Sequence, residues 1–347
     1  MALDPYTEGV RRLMSAAYPD VGGAVTDAAE ARRRHRRARF PSGPDLGDVR
    51  DIVIPGAPDI PARVYRPRTA GPNLPVVVYL HGGGFVLCDL DSHDGICRIL
   101  SDGTPAIVVS VDYRRAPEHP YPAAVDDAYA ALRWVYADGA AALGGDPDRI
   151  AVAGDSAGGN LATVCCLRSR DEDGPPVRFQ LLVYPVTDCL ADWPDDPRGQ
   201  LMTSRHMRWY VDQYLTDRTH GEQAYASPLR AESLAGLPPA FVLTVEHDPL
   251  RPEGEAYAAR LAAAGVAVRT HRVAGLFHGA FGLGAVLPAA RRSEELACEA
   301  LRTALTGPGS AGPGSAGPAP ASTRSAAVTT SDMSIDPRVG RRSEVAR

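Results

Sequence analysis

The sequence predicts an α/β fold, a mostly parallel central sheet flanked by helices, and two observations predict it. Between about residues 51 and 306, short runs rich in β-branched residues alternate with longer amphipathic runs, the pattern that builds a parallel sheet covered by helices. Central runs such as Val76-Val77-Val78-Tyr79-Leu80 are apolar at every position, as a strand must be when helices lie over both of its faces.

Taken in order, the apolar and β-rich runs place strands at 51–54, 62–65, 75–80, 106–111, 150–153, 180–184, 241–245 and 266–273. The amphipathic runs place helices at 121–137, 157–168, 252–264 and 287–305. Residues 1–45 and 202–214, the latter with Trp209, Tyr210 and Tyr214, fall outside the alternation. Both are assigned to a helical cap over the sheet edge: an N-terminal helical cap at 1–45 and a further cap contribution at about 195–225, inserted in a main domain of 46–306. From residue 307 the chain becomes a Gly-Pro-Gly-Ser-Ala repeat and then a polar stretch to Arg347. Such a segment buries too little surface to offset its ordering entropy, so 307–347 is expected to be a disordered tail. The repeat is far shorter than the ~20 residues of a structural repeat.

Composition narrows the function. A net charge of −5 over 347 residues disfavours a nucleic-acid footprint spread over the molecule. Arg32, Arg33, Arg34, Arg36, Arg37 and Arg39 form one basic run, and without an apolar face beside it the run reads as the solvated side of an N-terminal helix. No segment approaches the ~18 uninterrupted apolar residues of a membrane span, and the opening lacks a basic stretch followed by an apolar one, so stable membrane insertion is not expected. The six cysteines (Cys88, Cys97, Cys165, Cys166, Cys189, Cys298) contain no Cys-x-x-Cys pair and no zinc-type spacing with His. Reduced thiols in the cytoplasm, with no metal, are the simplest reading.

The strongest chemical signal is Gly154-Asp155-Ser156-Ala157-Gly158, entered from the apolar run at 150–153 and left through a helical pattern. In a nucleophile elbow the serine occupies a strained strand-to-helix turn, and small residues two positions either side let strand and helix approach closely. Ser156 then projects at the carboxyl end of the sheet, beside a helix start that favours developing negative charge. Upstream, His81-Gly82-Gly83-Gly84-Phe85 follows the strand at 75–80. Its glycines leave main-chain amides unshielded, and Gly83, Gly84 and Ala157 are the expected donors to an oxyanion. A phosphate cradle is excluded, because the chain has no Gly-Lys-Ser/Thr motif and no lysine at all.

A serine hydroxyl needs a base with a pKa near neutrality, for which histidine is suited. Of nine histidines, His278 lies in a loop directly after the last expected strand, where the order nucleophile, acid, histidine places the base. The orienting acid belongs after the preceding strand, and Asp248 is preferred to Glu246 because it lies further into the loop and precedes Pro249. Asp248 also suits a helix N-cap, its plain structural alternative.

With these elements in order, the chain resembles the hormone-sensitive-lipase-like (bacterial family IV) carboxylesterases of the α/β-hydrolase fold. The resemblance runs from about Val76 to Gly282. It is carried by His81-Gly82-Gly83-Gly84-Phe85, Asp112-Tyr113-Arg114, Ala116-Pro117-Glu118-His119-Pro120-Tyr121-Pro122-Ala123-Ala124, Gly154-Asp155-Ser156-Ala157-Gly158-Gly159-Asn160-Leu161-Ala162 and Asp248-Pro249-Leu250. It implies the Ser156, Asp248, His278 triad, an N-terminal helical cap that shapes the acyl and alcohol pockets, no cofactor, frequent homodimers and a preference for short-to-medium acyl esters. The sequence departs from the family pattern at Cys88, usually glycine, at Arg115, usually leucine, at Pro252, usually an acid, and at Ala280, which separates Gly279 from Phe281. Two other activities fit the same scaffold: amide or natural-product deacetylation on the same triad, and a non-catalytic small-molecule receptor. Receptors of this type lack the catalytic histidine, so His278 argues against the second.

Overall fold

Alternate side chains of Val76-Val77-Val78-Tyr79-Leu80 enter two different cores. In the computed structural model, which describes residues 3–38, 40–68, 71–194 and 201–306, Val76, Val78 and Leu80 join one hydrophobic cluster. Val77 and Tyr79 join another. That is the period-2 consequence of a pleated strand covered on both faces.

The sheet has eight strands in the order β1-β2-β4-β3-β5-β6-β7-β8. They are β1 (Asp48–Ile54), β2 (Ile60–Arg66), β3 (Leu74–Leu80), β4 (Ile107–Val111), β5 (Gly145–Asp155), β6 (Phe179–Val183), β7 (Ala240–His247) and β8 (Val268–Phe277). The β1–β2 and β2–β4 pairs are antiparallel, and every pairing from β4 through β3 to β8 is parallel. The helices are α1 (Pro5–Ala17), α2 (Ala28–His35), α3 (Asp94–Gly103), α4 (Ala123–Trp134), the short α5 (Ala140–Ala142), α6 (Ala157–Asp171), α7 (Ser204–Tyr214), α8 (Arg251–Ala263) and α9 (Pro288–Thr306). Buried residues of α4, α6 and α8 belong to the first cluster, and those of α3 and α9 to the second.

All eight expected strands coincide with observed ones, with shifted ends. Tyr184 leaves β6 because its φ is 35°, and β8 runs on to Phe277, so His278 directly follows a strand. The helix expected at 121–137 starts at Ala123 and passes into a π-turn at Val135–Gly139. Helix α3 was not anticipated: glycines at both ends, Gly95 and Gly103, blur its periodicity.

The N-terminal residues and α7 pack against each other. Trp209 Nε1 donates to Thr26 O at 3.1 Å, and Val21, Val25 and Trp209 share one cluster. The arginine run is not uniformly solvated. Arg33 and Arg34 pair with Glu30 on their own helix, but the Arg32 side chain is 16% exposed and reaches across to Val86 O at 2.7 Å, Ala116 O at 2.5 Å and Glu118 at 2.7 Å. Arg39 and the expected tail at 307–347 lie outside the described residues, as does the 195–200 part of the expected cap contribution. Among the described residues no helix is long and apolar enough to cross a membrane.

Candidate active site

Ser156 sits between the end of β5 and the start of α6 with φ 56° and ψ −119°, backbone angles that carry strain for a residue with a β-carbon. The strain is held in place by close packing. A β-carbon on Gly158 would lie 1.8 Å from Leu80 O, so only glycine lets α6 seat against the end of β3. The Ser156 amide donates to Val183 O at 2.9 Å, which ties the turn to β6 as well.

The three residues singled out from sequence converge. Ser156 Oγ lies 3.0 Å from His278 Nε2, and His278 Nδ1 lies 2.8 Å from Asp248 Oδ2. With the Nδ1–H donated to the carboxylate, the Nε2 lone pair faces the serine hydroxyl, whose O–H donates to it. The Asp248 side chain is fully buried, and its other oxygen accepts from the Leu250 amide at 2.8 Å. One oxygen thus meets the imidazole and the other the loop ahead of α8, whose N-cap is Leu250 and not Asp248, so the capping alternative does not hold. Glu246, the rejected alternative, accepts instead from the Gly275 amide at 2.8 Å. The Tyr184 ring lies 4.4 Å from the imidazole and backs it.

Across the cavity, the turn after β3 holds Gly83 at φ 106° and Gly84 at φ 61°. A β-carbon on Gly84 would meet the Tyr210 ring at 2.3 Å. Among the described residues no main-chain carbonyl accepts from the amides of Gly83, Gly84 or Ala157, and Gly83 and Gly84 border the cavity. Asp155 joins this turn to the elbow: its Oδ1 accepts from Tyr79 Oη at 2.7 Å and the Gly82 amide at 3.0 Å, and His93 Nε2 lies 3.2 Å away. Burial pushes the Asp155 carboxyl up, but His93 and the Tyr79 hydroxyl outweigh it and hold the group below the usual carboxylate range. Burial pushes His81 down to about 3 and His35 to about 4, so both stay neutral near pH 7.

Residues 77–282 match a family of the α/β-hydrolase fold. The chain belongs to that α/β-hydrolase family. Within it the chain groups with the hormone-sensitive-lipase-like esterases. It is 44% identical to the carboxylesterase NlhH of Mycobacterium tuberculosis, over 87% of this chain and 97% of that one. It is 47% identical to the esterase LipI of the same organism, over 82% and 91%. Among solved structures, a hyperthermophilic esterase from the archaeon Pyrobaculum calidifontis superposes with a TM-score of 0.79 at 38% identity, over 87% of this chain and 99% of that one.

Ser156 and His278 of this α/β-hydrolase open on a cavity of about 430 Å³. Tyr18 and Phe40 from the N-terminal region, Ile96 of α3, Tyr210 of α7 and Phe281 beyond His278 line it. The loop carrying His278 is anchored from α9, where buried Glu294 accepts from the amides of Gly282 at 3.0 Å and Gly284 at 2.8 Å. Sequence reasoning missed Asp155, His93 and Glu294 as supports of the site. Asp155 lay inside the recognised pentapeptide, so a buried-charge argument was available for it; the other two carried no local signal.

Proposed function

We propose that this α/β-hydrolase is a serine carboxylesterase acting on short-to-medium acyl esters through an acyl-enzyme intermediate. The observation that carries the reading is the continuous hydrogen-bonded line from Ser156 Oγ through His278 to buried Asp248. Ser156 Oγ attacks the ester carbonyl carbon while His278 Nε2 takes its proton. The amides of Gly83, Gly84 and Ala157 receive the charge that builds on the carbonyl oxygen. The imidazolium gives its proton to the leaving alkoxide, the alcohol departs, and the acyl group remains on Ser156. Water then loses a proton to His278 and attacks the acyl carbon, the acid leaves, and the proton returns to Ser156 Oγ. Asp248 keeps the imidazole in the required tautomer and stabilises its cation. The names of the relatives support the substrate class, and side chains with main-chain amides suffice for every step, without a cofactor.

In this reading α1 and α7 form the cap, because Met14 of α1, Tyr18 just after it and Tyr210 of α7 line a cavity whose other wall is the end of the sheet. The aromatic and aliphatic part of the lining (Met14, Tyr18, Phe40, Ile96, Tyr210 and Phe281), in a volume of about 430 Å³, favours an acyl chain of modest length. Six buried, unpaired thiols suit the reducing cytoplasm. Among the described residues strand β8 is the last of the sheet, an edge that suits a second copy of the chain.

A p-nitrophenyl ester series from short to long acyl groups, run beside Ser156→Ala and matched amides, tests the proposal. It expects serine-dependent ester turnover that declines for the longest chains. Turnover by Ser156→Ala equal to that of the unmodified protein overturns it.

A further inference from the structure

The turn that presents the Gly83 and Gly84 amides contains two non-glycine residues in left-handed backbone, Phe85 at φ 63° and Cys88 at φ 66°. A β-carbon disfavours that region, so each must be held by its surroundings. Phe85 is held by its ring, stacked on Tyr214 at 3.8 Å, and by its carbonyl, which accepts from the Ala116 amide at 2.9 Å. Cys88 is held by its carbonyl, which accepts from Arg115 Nη1. The far side of the guanidinium is anchored in turn, with Nη2 lying 3.4 Å from Asp112 Oδ1 beyond the end of β4. Cys88 is close enough to transmit its position to the glycines: its Sγ lies 2.8 Å from where a Gly83 β-carbon would be.

Arg115 and Cys88 are two of the positions at which the sequence departs from the family pattern, and the structure puts them in contact. We propose that Arg115 is a positioning residue for hydrolysis. By gripping the Cys88 carbonyl it keeps the 83–88 turn in the conformation that aims the Gly83 and Gly84 amides at the cavity, a restraint required because cysteine occupies a left-handed position. The proposal rests on the oxyanion reading of those amides. Arg115 itself touches no substrate; it stands behind the turn and outside the cavity lining.

The test is a double-mutant cycle on p-nitrophenyl acetate, with kcat, KM and melting temperature recorded for the unmodified protein, Cys88→Gly, Arg115→Ala and the double variant, and with Ser156→Ala in the same assay. Loss of Arg115 in the cysteine background is expected to lower kcat about tenfold, with KM changed by less than about twofold. In the glycine background, where the backbone conformation needs no restraint, the same substitution is expected to cost no more than about twofold. Equal losses in both backgrounds overturn the proposal, as does a loss confined to KM. Equal losses are also the result expected if Arg115 serves only to neutralise Asp112, since Asp112 is present in both. Should Arg115→Ala fail to fold, Arg115→Lys carries the same comparison, because it keeps a cation for Asp112 with a different reach to the Cys88 carbonyl. Serine-independent turnover, or none, is failure of the esterase reading; serine-dependent turnover with additive losses is failure of the Arg115 proposal alone.

Discussion

His278 Nε2 stands 3.0 Å from Ser156 Oγ while its other ring nitrogen stands 2.8 Å from the fully buried Asp248. Removing either end of that line should therefore be costly. Ser156→Ala and His278→Ala are each expected to lower kcat roughly 10⁴-fold or more, and Asp248→Asn roughly 10⁴-fold by favouring the wrong tautomer. The losses are not additive, since the residues act as one unit. Steady-state kinetics of the single variants and the Ser156→Ala/His278→Ala double variant check this; a double variant much slower than either single contradicts it.

Gly84 has no room for a side chain. A β-carbon there would lie 2.3 Å from the Tyr210 ring at a φ of 61°, so Gly84→Ala must move either the turn or α7. A displaced oxyanion donor is expected to lower kcat by roughly 10²–10³, with KM less affected. Tyr210→Ala in the Gly84→Ala background is expected to recover part of the rate by relieving the collision, and the residual deficit reports the cost of the left-handed angle.

The loop carrying His278 depends on α9. Glu294→Ala leaves the Gly282 and Gly284 amides without their acceptor, which is expected to cost about 1–3 kcal/mol of stability. Chemical denaturation measures that loss. Because the loop bears the imidazole, kcat on a short ester should fall as well, which a substitution at exposed Leu13 will not cause.

Acid pH should loosen the link between α2 and the segment that joins β4 to α4. The Arg32 guanidinium bonded to Glu118 holds that carboxyl down to about 2 from an ordinary 4.5. A carboxyl depressed in the folded state adds stability that is fully present above its unfolded value and is lost as pH falls through its folded one. The melting temperature of Glu118→Gln should therefore lie below that of the unmodified protein at pH 7, and the gap should close between about pH 4.5 and 2. The effect will be small, since the Glu118 side chain is half exposed; a gap that stays constant across that range rules the pairing out.

The sheet was legible because burial on both faces leaves an unmistakable mark: Val76 to Leu80 has no polar residue to offer, and the glycines around Ser156 announce a turn that no larger residue fits. His278 and Asp248 were legible through chain order and strand ends. The supports of the site were not. Asp155 meets Tyr79 and His93, Arg32 meets Val86, and Glu294 meets the Gly282 amide, each across a separation or an orientation that local periodicity does not encode. A lone buried charge reads the same in sequence whether its partner exists or not. The basic run illustrates this: Arg33 and Arg34 behave as composition suggests, while Arg32 beside them turns inward to hold main-chain carbonyls.

Tyr210 forms one wall of the cavity and also abuts Gly84. Anyone redesigning this hydrolase for bulkier acids will look first to that ring, and trimming it loosens the amides proposed to receive the oxyanion. At this position breadth of substrate and speed are coupled, so selection for one will drag the other. Space is better sought at Phe281 or Ile96, which face the same chamber from elements that leave Gly84 alone.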